Sequence, residues 1–283
     1  MSAISRLSVR HVTDYRYERA VLASYNELRV TPRTGSQQAV LDARVEVSPS
    51  GWIRQYVDYF GTVVHALELH APHSAMEIVG TAVVESGWQL RRSRPELRWD
   101  DVVRASVTDR FVEYLAPTTY TAVDSGLAEV AHGLRESCDP AAAPDAVADW
   151  VRSQLTYRSG VTGVHSTGLD ALQAGQGVCQ DFAHISLALL RAMGVPARYV
   201  SGYLHPEPDA PVGRTVTGES HAWVQAWVGE WVDVDPTNGR PVESDHVLVA
   251  TGRDYADVAP VRGVYEGGGR STMSVVVEIT RLL

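Results

Sequence analysis

The chain reads as an α+β protein, in which an antiparallel β-sandwich-like domain precedes a core of helices packed on an antiparallel sheet. Two features predict this. Short runs of alternating apolar and polar residues fill positions 1 to 90, and helical periodicity takes over from 121 to 193 before alternation returns. The early runs cover 41–47, 53–60, 62–69 and 75–84, parted by Ser48-Pro49-Ser50-Gly51, Gly61 and Ala71-Pro72-His73, all turn formers.

Residues 91–101 are charged and polar and contain Pro95, so the stretch 91–120 is expected to be a linker or a strap across an interface. Helices then begin. Asp124-Ser125 precedes Leu127, Val130 and Leu134, and Pro144 opens a second apolar series through Val147, Trp150, Val151 and Leu155. A third helix follows the loop Gly175-Gln176-Gly177, carries Phe182, Ile185, Leu189 and Met193, and stops at Gly194-Val195-Pro196. The expected division is a β-rich domain over 1–90, the strap over 91–120 and a catalytic core over 121–283.

Cys179 falls in the first turn of the third helix. Backbone N–H groups without partners and the positive end of the helix dipole favour a thiolate there, the form a nucleophile needs. A small buried hydrophobe is the bland alternative, since free cysteines are often buried. Two segments downstream weigh against it. His221 lies in Ser220-His221-Ala222-Trp223-Val224-Gln225-Ala226-Trp227-Val228, and Asp235 in Trp231-Val232-Asp233-Val234-Asp235-Pro236-Thr237-Asn238. Both alternate, and only a short turn around Gly229-Glu230 parts them, so an antiparallel hairpin is expected.

Register decides whether the two polar residues meet. A two-residue loop would put His221 and Asp235 on opposite faces, whereas a three-residue loop over 228–230, or a bulge, makes them diagonal neighbours on one face. The apolar pattern favours the second arrangement, because it stacks Ala222, Val224 and Ala226 against Val232 and Val234. Cys179, His221 and Asp235 are then nucleophile, base and orienter. Asp235-Pro236-Thr237-Asn238 is also a good turn sequence, which leaves a purely structural Asp235 as the competing view.

At these positions the chain resembles a known family. Gly177-Val178-Cys179-Gln180-Asp181-Phe182-Ala183-His184, then the run from Gly194-Val195-Pro196 to Gly202-Tyr203-Leu204, Ser220-His221-Ala222-Trp223 and Asp235-Pro236-Thr237-Asn238 look like the core of bacterial transglutaminase-like proteins, of the papain-like superfamily. His11-Val12-Thr13-Asp14-Tyr15-Arg16-Tyr17, Asn26-Glu27-Leu28-Arg29-Val30-Thr31-Pro32-Arg33 and Asp58-Tyr59-Phe60-Gly61 resemble the β-rich region that accompanies such cores. The resemblance implies a papain-like transglutaminase core with a Cys179, His221 and Asp235 triad. The Cys179 N–H is the natural oxyanion donor, and Gln173, Trp223 and Asn238 are the further oxyanion or substrate candidates. Glu219 departs from the family, where a small residue is expected. Asp181 and His184 match the pattern, and both are expected to be structural.

Composition narrows the class. The net charge of −9 argues against nucleic acid or an anionic membrane as partner, and all 25 basic residues are arginine, so the chain offers no lysine amine with which to crosslink itself. Two cysteines in unrelated surroundings suit a reducing compartment, and with no leader-like or membrane-length apolar run the expected location is cytoplasmic. No metal or cofactor is expected. His65 and His70 fall on opposite faces of a strand, which leaves His65, His70 and His73 without a metal-binding arrangement, and Gly267-Gly268-Gly269 reads as a flexible loop before a strand over 273–279, not a phosphate cradle.

The expected function is thiol-dependent acyl transfer from a carboxamide, the glutamine side chain or peptide bond of a peptide or protein. Passing the thioester to water makes a cysteine protease or amidase, and passing it to an amine makes a transglutaminase. Two other classes stay open: an arylamine N-acetyltransferase-like acyltransferase, and a non-catalytic interaction protein on a papain-like scaffold. Oligomeric state has no signature in the sequence.

Overall fold

A computed structural model describes residues 4–87, 96–207, 210–218 and 220–283; the charged stretch 91–95 and Glu219 lie outside the described residues. The first strand organises the N-terminal part. β1 (Ser5–Leu28) alternates strictly at its start, with Leu7, Val9, His11 and Thr13 buried. One edge of residues 5–16 pairs with β5 (His73–Ser86), and the other edge pairs with β14 (Ser271–Arg281). Beyond a register shift after Arg16, β4 (Val63–Leu69) and β13 (Val261–Gly267) take over as neighbours. β2 (Gln38–Ser48) lies outside β5, β3 (Trp52–Val57) outside β4, and β9 (Thr215–Gly218) outside β14. The result is one antiparallel sheet curled around Tyr17, Val21, Leu28, Leu67, Leu69, Met76 and Ile78, so the sandwich-like packing comes from a single bent sheet.

The sequence reading grouped 261–281 with the core, yet β13 and β14 belong to this curled sheet. Gly268 and Gly269 lie in the loop expected of the glycine run, between β13 and β14, and Gly267 ends β13. Gly267, Gly268 and Gly269 adopt φ of 86°, 75° and 69°, open to glycine and strained for other residues. They follow the bend in β1: the Glu18 N–H donates to Arg270 O at 3.0 Å, and the Gly268 N–H to Ala20 O at 3.1 Å.

Short helical turns, α1 (Trp99–Val102), α2 (Ala105–Thr108) and a 3-10 turn over Val112–Tyr114, follow. Their Val107, Phe111 and Tyr114 pack between Phe60 of the curled sheet and Trp227 and Trp231 of the second sheet. α3 (Ser125–Ser137) begins where Asp124 Oδ1 accepts the Leu127 N–H at 2.8 Å, and α4 (Ala143–Gln154) carries Pro144 in its first turn. A small parallel pair, β6 (Thr156–Tyr157) and β7 (Gln176–Gly177), brackets α5 (Gly168–Ala174).

α6 (Cys179–Ala192) is buried on all sides, not on one face alone, because α3, α4 and α5 cover it away from the second sheet. That sheet has the order β11-β10-β8-β12, from β8 (Ala197–Leu204), β10 (Ser220–Trp227), β11 (Trp231–Val234) and β12 (His246–Gly252), with α7 (Tyr255–Val258) after it. A continuous core joins the two parts, since Leu7, Val9, Ala82 and Val84 share it with Phe182, Ile185 and Leu189. No helix of the described residues is long and apolar enough to cross a membrane.

Gly202 on β8 is tightly enclosed. A Cβ there would lie 2.2 Å from the Val247 carbonyl oxygen and 2.6 Å from the Trp223 ring, neither of which can retreat. Gly202→Ala is expected to cost about 2–3 kcal/mol through overpacking and to lower the melting midpoint by roughly 5–10 °C. A midpoint within one degree of the parent in a thermal melt would contradict this.

Candidate active site

Cys179 is positioned by the turn before it. Asp181 Oδ2 accepts the Val178 N–H at 2.8 Å and the Thr162 hydroxyl at 2.6 Å, closing the start of α6 around the thiol. Burial pushes the Asp181 carboxyl up, against these two bonds. Gly177 makes the turn possible, since a Cβ there would sit 2.8 Å from that of Asp181. The structural role expected of Asp181 is therefore visible atom by atom. His184 behaves similarly: it accepts the Tyr255 N–H at 3.2 Å, stacks on Tyr120, and burial followed by the nearby Arg191 charge pulls its pKa down to about 3.

β10 and β11 pair with Trp227 opposite Trp231, leaving the three-residue loop 228–230. Val224 faces Val234 and Ala226 faces Val232, and one residue further Asp235 shares the face of His221. The carboxylate divides its oxygens. Oδ1 accepts the N–H groups of Thr237 at 2.9 Å and Asn238 at 3.2 Å, which is the turn role; Oδ2 bonds His221 Nε2 at 2.8 Å. The one carboxylate thus makes both the contact to His221 and the turn contacts.

Burial alone would lower the pKa of His221, but bonds to Asp235 and to Cys179 outweigh it and raise the value to about 9. The ring consequently keeps its proton at neutral pH beside the thiol. Asp235 is held well below the usual carboxylate range, because its bonds to His221 and His246 overcome the opposing effect of burial. His221 and Asp235 are buried, while Cys179 is half-exposed.

Of the other candidates, Asn238 and Trp223 lie beside His221 and Gln173 does not. Asn238 Nδ2 donates to Asp235 Oδ2 at 2.8 Å, so it braces the carboxylate. Trp223 is fully buried beside His221, and its indole N–H donates to Asp233 Oδ1 at 2.9 Å, making it a wall. Gln173 is exposed on α5, and no hydrogen bond joins it to Cys179, His221 or Asp235 among the described residues. Helix phase explains this: the Thr167 and Asp170 capping box sets α5 so that Ala171 faces inward and Gln173 outward.

Sequence reasoning missed a second layer. His246 Nε2 lies 3.6 Å from Asp235 Oδ2, and its Nδ1 lies 2.8 Å from Asp245. Beneath them Gln225 and Trp223 both donate to Asp233, whose carboxyl burial pushes up to about 6. The register of β12 on β8 puts His246 opposite Leu204, on the face of His221, and that pairing was not legible from the hairpin alone. His221, Asp235 and His246 bring potential metal-ligand atoms within 4.8 Å of one another, but Asp235 Oδ2 already accepts from His221 and Asn238. The histidines of the N-terminal sheet have separate partners: His65 with Thr31, His70 with Glu68 and His73 with Ala71 O.

Comparison with known proteins gives the family. Residues 128–236 match the transglutaminase-like superfamily, and residues 7–85 match the bacterial transglutaminase-like N-terminal region. An uncharacterized protein of Mycobacterium leprae is 49% identical over 277 residues, 98% of this chain and 99% of its own. A solved structure from Cytophaga hutchinsonii, described as a candidate cysteine protease, superposes with a TM-score of 0.82 at 25% identity, over 100% of this chain and 92% of that one. Over 87 residues, 29% of this chain and 13% of the other, a protein-glutamine gamma-glutamyltransferase of Pseudomonas aeruginosa is 34% identical. With its α6 thiol, its His221–Asp235 hairpin and its curled N-terminal sheet, this chain belongs to the transglutaminase-like superfamily and carries the bacterial transglutaminase-like N-terminal region.

Proposed function

We propose that the protein is a thiol-dependent acyl-transfer enzyme acting on carboxamides of a peptide or protein, through Cys179, His221 and Asp235. The observation that carries this is the buried imidazole bonded to Asp235 Oδ2 at 2.8 Å and lying beside a thiol at a helix start. Cys179 Sγ attacks the carbonyl carbon, and charge develops on the carbonyl oxygen near the first N–H groups of α6, of which that of Cys179 is the nearest donor. His221 gives its proton to the departing nitrogen, leaving a thioester. The neutral ring then takes a proton from the incoming water or amine. Asp235 holds the ring and stabilises its charged form.

Water as acceptor makes an amidase or protease, and an amine makes a transglutaminase. The names of the Cytophaga and Pseudomonas relatives support one outcome each. The arylamine N-acetyltransferase-like reading is disfavoured by the match of residues 7–85 to the transglutaminase-like N-terminal region.

The direct experiment exposes the protein to a diverse peptide pool and searches Cys179 for thioester adducts by mass spectrometry, with acetyl-CoA as a parallel donor. Peptide adducts are expected. Adducts from acetyl-CoA alone would transfer the protein to the acetyltransferase class, and none from either would leave an interaction protein.

Reactivity supplies a second expectation. Burial and the neighbouring Asp139 push the Cys138 thiol up, and its sulfur already donates to Leu134 O at 3.1 Å. Cys179 should therefore be alkylated at least about tenfold faster at neutral pH, and His221→Ala should remove most of that lead. Because the imidazolium proton is held up to about pH 9, acylation of Cys179 should decline as pH rises through that value. Equal labelling of both thiols would defeat this.

Asp235→Asn replaces one acceptor with a donor that faces His221 and Asn238, while a carbonyl oxygen can still serve the turn. Acylation should fall by about 10² to 10⁴-fold with a melting midpoint close to the parent. A lowered midpoint with unchanged acylation would reduce Asp235 to a turn residue.

A further inference from the structure

His246 opens β12 with no solvent exposure. The oxygen it approaches, Asp235 Oδ2, is the one bonded to His221, and its other nitrogen lies 2.8 Å from Asp245 Oδ1. Arg240 in turn donates to Asp245 Oδ2 at 2.5 Å. The edge of the ring meets Trp223 at 5.5 Å and 80°, which fixes its plane. Burial would favour the neutral ring, but Asp235 and Asp245 outweigh it and push the pKa of His246 up. Each nitrogen of His246 thus faces a carboxylate, and two imidazoles with centroids 6.1 Å apart converge on one oxygen of Asp235.

We propose that His246 is a positioning residue of this site, holding Asp235 Oδ2 jointly with His221 and so limiting how firmly Asp235 retains the proton on His221. The proposal rests on the catalytic reading above. An imidazolium with a buried carboxylate to itself is a stable cation and a reluctant acid, whereas a general acid works best when its proton affinity lies near the working pH. A second cation at the same oxygen takes part of that field and repels the first at close range. The charged and titratable groups facing His246 are His221 on β10, Asp233 on β11, Asp235 after it, and Arg240 and Asp245 in the loop that leads to β12.

The test measures site-resolved alkylation of Cys179 by iodoacetate in the full chain as a function of pH, with melting midpoints alongside. Iodoacetate is an anion, so its rate falls when His221 loses its proton, and the upper limb of the profile reports that loss. His246→Gln keeps a side-chain donor for Asp235 and removes the charge. The upper limb should move upward by roughly one pH unit, with the midpoint near that of the parent, a displacement that loss of packing alone does not produce. His246→Asn, which removes the same ring with a shorter amide in its place, should move the limb in the same direction, and it decides the matter if the first variant does not fold. A wild-type plateau whose upper limb stays or falls in both variants overturns the role of His246 and leaves the triad standing. A wild-type profile with no plateau, unchanged by His221→Ala, overturns the catalytic reading and this proposal together.

Discussion

One buried negative charge sets the terms for the rest of the site. Asp235 is 2% exposed, and a carboxylate taken out of water costs several kcal/mol unless donors surround it. Two backbone N–H groups, the Asn238 amide and the His221 imidazole do so, with the His246 ring 3.6 Å away. These partners come from a turn, a neighbouring strand and a strand on the far side of the sheet. None can be withdrawn without leaving the charge short, so the hairpin loop, the 236–238 turn and the start of β12 are committed to one geometry together.

The N-terminal sheet takes part in that commitment. Gln38 uses its side-chain amide as a backbone substitute, donating to Leu248 O at 2.7 Å and accepting the Leu248 N–H at 2.9 Å, and so holds β12 from outside. Tyr203 on β8 donates to Val30 O at 3.1 Å, and its hydroxyl lies 3.0 Å from His11. Through β9, Gly218 is paired with β14 two positions before Ser220 joins the second sheet. A region that sequence presents as a separate domain is thus joined to both strands that flank His221 and His246.

What the sequence disclosed follows the range of the interactions. The α6 start, the glycine stop and the hairpin parity depend on residues within a few positions of each other, and Val224 facing Val234 could be reasoned from alternation alone. His246 could not. Its place near Asp235 depends on β12 pairing with β8, two strands away from β11, and no local pattern announces that choice. The same limit hid the association of β1 with β14, whose paired residues lie more than 250 positions apart. Gln173 failed to reach the thiol for a different reason: its spacing matched an expectation, but helix phase turned it outward.

The pairing of β1 with β14 also bears on how the protein comes into being. The curled sheet cannot close until residues 271–281 are available, and β9, which leads directly into the strand carrying His221, is seated on that same β14. Cys179 precedes Ser271 by 92 positions. At a synthesis rate of about 5–20 residues per second, the thiol therefore spends roughly 5–20 s on a nascent chain whose supporting sheet is still open. Chain order therefore makes the strand pairing that supports His221 later than the emergence of Cys179, so the two cannot be brought together until residues 271–281 have been made.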